Sequence, residues 1–198
     1  MNQYRIWLTR SFLMAIFLVV AMVAISSCGD STKPETLPTT LTDFSYYDIN
    51  NYSDSYGELI TLSTQGDTTV VLFCGETGCG FCMSQVDKIQ DMIAEINTGE
   101  TTNVKALMFN HANHTADPGQ FYSWGVTIPA LQDTLMDVGG IPTPTIKHIN
   151  AIDFQDLVIV KPNQVVARRV ALIEDGDNRM NLSDQSTYNQ IKAWIIGD

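Results

Sequence analysis

Positive charge is scarce in this sequence. Its 11 Lys and Arg stand against 22 Asp and Glu, a formal net charge of −11 over 198 residues. Such an acidic surface repels phosphate backbones and anionic headgroups, so nucleic acid and anionic lipid surfaces are excluded as partners. The acids are spread rather than blocked, as on a solvated surface. Cysteine is scarce too, with four residues: Cys28, Cys74, Cys79 and Cys82. Setting Cys28 aside, three remain. That is too few for a disulfide-stapled scaffold or a four-cysteine zinc site. The apolar run Phe12–Ile25 falls short of the roughly 20 residues of a comfortable membrane span.

What the N-terminus does have is the layout of a secretory signal. Arg5 and Arg10 form a basic start, Phe12–Ile25 is the apolar stretch, and Ile25-Ser26-Ser27-Cys28 closes it. This ending resembles a bacterial lipobox, in which the cysteine becomes the lipidated N-terminus; Cys28 sits at the matching position. An uncleaved anchor with an incidental cysteine is the alternative. Either way the domain is expected outside the cytoplasm, near a membrane. Residues 1–27 are read as signal and 28–43 as lipidated cysteine plus flexible tether. That tether is polar, without periodicity. Residues 44–198 remain for one domain with a sizeable core.

The most informative stretch is Val70–Gln85. An apolar run, Val70–Phe73, leads into a glycine-punctuated turn, then Cys79-Gly80-Phe81-Cys82, then a helical pattern. The spacing carries Cys79 to the first turn of a helix, where free N–H groups and the macrodipole favour a thiolate. Cys82 follows one turn later, placed to attack a mixed disulfide on Cys79. A structural disulfide or half a metal site is the competing reading.

Around this stretch, Phe44–Tyr56 begins with an aromatic-rich strand candidate and passes into turn chemistry, and strands are expected at Gly57–Ser63, Thr68–Cys74, Asn103–Asn110 and Gly125–Leu131, the last weakened by Pro129. Apolar residues Met83, Val86, Ile89, Ile93 and Ile96 mark a helix ending near Gly99. Pro118–Trp124 reads as a short helix. Asp156–Lys161 and Gln164–Ala171 read as a hairpin. Ser183 or Asp184 caps a final helix with Tyr188, Ile191, Trp194 and Ile195 on its inner face. The class is α/β, a mixed sheet with helices on both faces.

Four segments resemble the thioredoxin fold, and within it the membrane-anchored TlpA/ResA type. They are Gly57–Ser63 before a strand, the strand–Cys79-Gly80-Phe81-Cys82–helix block, Trp124–Asp133 as a central insertion, and Gly140-Ile141-Pro142-Thr143. The resemblance spans residues 44–196. It implies a thiol–disulfide oxidoreductase of reductase or isomerase type, with Cys79 as nucleophile and Cys82 as resolving thiol. It implies that Pro142 is a cis proline, with Pro144 as competitor. Ile141, Pro142, Gly80 and Phe81 would then contact the substrate. No cofactor is expected. The expected partners are a disulfide-bearing protein and a membrane or periplasmic redox partner. Gly78 stands where the family has an aromatic, and Thr145–Gln155 intervenes before the hairpin.

Cys74 reads as a small core residue, and Glu76 as a solvated loop acid rather than a proton-transfer group. His111 and His114, with Asp117, have a loop spacing that could hold a metal, but no further ligands are visible. His148 raises a Sco-like copper carrier built from Cys79, Cys82 and His148. A tethered interaction domain with an idle dithiol is a third reading. Trp124, Phe154 and Trp194 read as core. Arg168-Arg169 reads as a charged edge that discourages strand pairing.

Overall fold

A computed structural model describes residues 38–99, 103–172 and 181–197. The signal-like segment, Cys28 and most of the tether lie outside these residues. Among those described, no helix is long and apolar enough to cross a membrane.

The strands are β1 (Ser45–Tyr47), β2 (Leu59–Thr61), β3 (Thr69–Gly75), β4 (Val104–Asn110), β5 (Ala130–Gln132), β6 (Leu135–Val138), β7 (Ile141–Pro144), β8 (Asp156–Lys161) and β9 (Val165–Ala171). The helices are α1 (Gly80–Gly99), α2 (Pro118–Ser123), α3 (Thr145–Asn150) and α4 (Gln185–Ile196). Five strands form the main sheet in the order β5-β4-β3-β8-β9. β3, β4 and β5 run parallel, and β8 and β9 antiparallel.

All seven residues of β3 are buried, so this strand is the centre of the molecule. Its side chains alternate between two cores. Val71 and Phe73 face α1 and α4, packing with Val86, Ile89, Ile96, Ile191 and Ile195. Val70, Leu72 and Cys74 face Leu41, Phe44, Ile146 and Ile152 on the opposite side. Helices therefore cover both faces, as the apolar periods require. Asp184 caps α4 by accepting from the Thr187 amide at 2.9 Å.

The N-terminal ribbon β1–β2 is fastened to the central insertion by buried polar groups. Asp48 accepts from the Ala130 amide at 3.0 Å. Asn50 donates to the carbonyls of Val126 and Ile128 at 3.0 and 2.8 Å. The fold also starts earlier than expected. Leu41 is buried and its amide donates to Gln164 O at 2.9 Å, so the tether does not run to residue 43. Pro38 and the threonines around Leu41 give the composition of a tether.

The proline-rich stretch is a second correction. Residues 135–144 form a β6–β7 hairpin, so Gly140-Ile141-Pro142-Thr143 lies in a paired ribbon. Gly139 and Gly140 make its two-residue turn with φ of 63° and 87°, as such hairpin turns demand. Pro142 and Pro144 occupy alternate positions of β7, in a two-stranded ribbon where a missing N–H is tolerated. No peptide bond among the described residues is cis, so neither proline is the expected cis proline.

Candidate active site

β3 ends at Gly75, and the chain reaches α1 through Glu76-Thr77-Gly78-Cys79. Asn110, fully buried at the end of β4, holds this loop in place. Its side-chain oxygen accepts from the Thr77 amide at 3.0 Å, while its NH2 donates to His114 O and Gln132 Oε1 at 2.6 and 2.9 Å. Thr77, itself buried, accepts from the Asp117 amide through its hydroxyl at 3.0 Å. Four segments thus meet beneath the cysteines.

Cys79 and Cys82 are joined by a disulfide, with Cα atoms 5.2 Å apart. Cys79 occupies the N-cap of α1, and its sulfur accepts from the Cys82 amide at 3.0 Å. It is half-buried, whereas Cys82 is 0% exposed. One sulfur is reachable and the other is not. The reachable one sits at the positive end of a 20-residue helix, where a thiolate is stabilised. This asymmetry suits Cys79 as nucleophile and Cys82 as resolving thiol.

Gly75 explains how the strand passes so close. A Cβ there would lie 2.7 Å from Phe73 Cε1 and 3.1 Å from Cys82 Cβ. Phe73 is fully buried and cannot yield cheaply. Gly75→Ala should therefore destabilise the protein by about 1–3 kcal/mol through overpacking, read by denaturant unfolding. An unchanged midpoint would mean the dithiol pocket has slack.

Cys74 is buried and free, as a core residue should be. Burial pushes its thiol pKa up, and the nearby carboxylates of Asp133, Asp156 and Asp153 push it further. It is unsuited to thiolate chemistry. Glu76 is not merely solvated: its carboxylate pairs with His114 Nε2 at 2.9 Å. His111 packs edge-on against Phe154, ring centroids 5.4 Å apart, and its amide donates to Gly75 O at 2.7 Å. His148 is exposed on α3. Among the described residues no three His, Cys, Asp or Glu side chains are grouped to hold a metal.

The second wall of the site differs from expectation. Ile141 is 67% exposed at the start of β7, and Pro142 follows it in the same hairpin. A cleft of about 470 Å³ flanks the loop, lined by Glu76, His111, His114, Pro144, Lys147 and Phe154. Pro144, rather than Pro142, reaches it. A side-chain donor that reaches the dithiol is Gln155, whose Nε2 lies 3.9 Å from Cys82 Sγ. Trp124 is exposed, not core; its ring lies 4.0 Å from where a Gly80 Cβ would be. Neither Gln155 nor Trp124 stood out as a site residue, since each lies far from the cysteines in sequence. Trp194 is partly buried and carries Arg168 over its ring at 5.5 Å. Arg169 reaches inward to buried Asp156 at 2.5 Å, so it does more than charge an edge.

No protein-family model matches the sequence, and no curated protein matches it. Solved structures do. The thioredoxin domain of a thiol-disulfide oxidoreductase from Bacteroides vulgatus aligns with a TM-score of 0.53 at 10% identity, over 81% of this chain and 98% of that one. A secreted disulfide oxidoreductase of Mycobacterium tuberculosis, homologous to E. coli DsbE, aligns at 0.51 and 12% identity, over 78% and 96%. Yeast Sco1 aligns at 0.56 and 10% identity, over 81% and 97%. The fold of this chain is thioredoxin-like.

Proposed function

We propose that this protein is an extracytoplasmic thiol–disulfide oxidoreductase acting on protein disulfides through Cys79 and Cys82. One observation carries the reading: a partly buried cysteine at the N-cap of a long helix is bonded to a wholly buried one. In the reduced protein the Cys79 thiolate attacks a substrate disulfide. A new S–S bond forms, the old one breaks, and its electron pair leaves on the second substrate sulfur, which takes a proton. Cys82 then gives up its proton and attacks Cys79. Its electron pair closes the Cys79–Cys82 bond and expels the other substrate sulfur. Two electrons pass to the substrate, and oxidation of a substrate dithiol is the same path reversed. The dithiol needs no cofactor.

The thioredoxin-like fold shared with disulfide oxidoreductases, one of them secreted, supports this reading. The signal-like segment and the lipobox-like Cys28 support a lipid-anchored place outside the cytoplasm. A membrane or periplasmic redox partner would then reset the couple. Gly80 and Phe81 lie beside the nucleophile to meet the substrate, and the exposed Ile141-Pro142 hairpin is a further contact surface. The test is trapping. Cys82→Ala should accumulate mixed disulfides on Cys79, visible on non-reducing gels and released by dithiothreitol. A wild-type protein that exchanges no disulfide at any redox poise would sink the proposal.

A second reading, resting on the fold shared with yeast Sco1, is a copper carrier using Cys79, Cys82 and His148, which would have to come together from positions that are not grouped here. It requires Cu(I) affinity that falls in His148→Ala; indifference to that change removes it.

A further inference from the structure

Cys82 must become a thiolate to resolve a mixed disulfide, yet its sulfur is sealed from solvent. A buried thiolate without a hydrogen-bond donor is strongly disfavoured. The ionisable groups on the neighbouring segments are already committed. Glu76 is paired with His114, Asp153 with Lys147, and Asp156 with Arg169. Gln85, the buried carboxamide on α1, is spent on Asn181 and the Leu182 amide at 3.0 and 2.8 Å. Among the described residues, the side-chain donor that reaches Cys82 Sγ is Gln155 Nε2 at 3.9 Å.

The backbone goes to some length to put it there. Gln155 sits at φ 65°, a left-handed conformation unfavourable for a residue with a long side chain. Its amide donates to Cys74 O at 2.6 Å, and its carbonyl accepts from the Leu172 amide at 2.8 Å. It is thus clamped between β3, which leads to the dithiol, and the end of β9. A glycine would fit the conformation better, but would bring no donor.

Resting on the oxidoreductase reading, we infer that Gln155 is the positioning residue of the resolving step, its carboxamide donating to the Cys82 sulfur when that sulfur is a thiolate. The contact to the neutral disulfide sulfur is long, and it shortens onto a charged acceptor. Cys79 attack does not use Gln155; the second step, in which the Cys82 electron pair closes the ring disulfide, does.

The experiment titrates Cys82 directly, by thiolate absorbance near 240 nm in Cys79→Ser protein, with and without a change at Gln155. Cys74 does not interfere, because burial raises its pKa. Gln155→Gly keeps the backbone conformation and deletes the donor. Gln155→Glu keeps the length and replaces the donor with an acceptor. In both, the Cys82 midpoint should rise by about one pH unit or more. In otherwise wild-type protein, resolution at neutral pH should slow about threefold, a tenfold loss of thiolate being partly offset by the more basic sulfur's greater nucleophilicity. Cys79 attack, measured with Cys82→Ser, should stay within about twofold. An unmoved Cys82 midpoint in both variants overturns the role of Gln155. The titration needs no exchange activity, so it can fail while the oxidoreductase reading stands, and the reverse.

Discussion

Cys79→Ala is expected to reduce disulfide exchange by this protein to the uncatalysed rate, with the fold intact by circular dichroism. Cys79 is the only partly exposed member of the pair, and Cys82 cannot substitute because it is fully buried. Cys74 cannot substitute either, being buried with its thiol pKa pushed up by desolvation. On the proposed mechanism catalysis consists of presenting one thiolate at a helix N-terminus, so removing it leaves no residual route. An insulin-reduction assay reads this directly. Measurable turnover in Cys79→Ala would place the nucleophile elsewhere.

The second large effect is structural. Asn110→Ala removes three hydrogen bonds, to the Thr77 amide, His114 O and Gln132 Oε1. The partners left behind include the amide of buried Thr77. Unpaired buried polar groups cost about 1–3 kcal/mol each, and solvent entry at the loop recovers part of that. A net loss of about 3 kcal/mol is expected by denaturant unfolding. Asn110 also joins the Cys79 loop to the His111–Asp117 loop, so exchange should slow even where the variant remains folded. Asn110→Asp should do no better than Asn110→Ala: it keeps the acceptor for Thr77 but sets a buried carboxylate oxygen against His114 O and Gln132 Oε1. If Asn110→Ala unfolds like the wild type, the loop is held by something other than this carboxamide.

The element at the heart of the site was legible in the sequence because its signals are local. A β-branched run buried on both faces, a glycine turn and an apolar period of 3.6 leave few alternatives for Val70–Gly99. The β8–β9 hairpin and the Asp184 cap were legible for the same reason. The β6–β7 ribbon was not, because two prolines and two glycines carry the composition of a loop. Only the pairing partner, Leu135–Val138, turns them into a strand. The expected cis proline came from the resemblance of Gly140-Ile141-Pro142-Thr143 to a family segment, and no cis bond is present there. Gln155 and Trp124 escaped because long-range packing, not sequence spacing, delivers them to the dithiol. Arg169 looked like an edge charge because its partner, Asp156, is buried only once β8 is in the sheet. Leu41 shows the limit from the other side: it lies in a segment with the polar, proline-bearing composition of a tether, yet it fills the core.

The most direct measurement is the reduction potential of the Cys79–Cys82 couple, set against glutathione and dithiothreitol buffers. Exchange catalysts fall between about −270 and −120 mV, and structural disulfides lie below about −300 mV. A reachable sulfur at a helix N-cap predicts a value within the catalytic span, with both cysteines reducible in the folded protein. A potential below about −300 mV would mark a structural clip and contradict the oxidoreductase account.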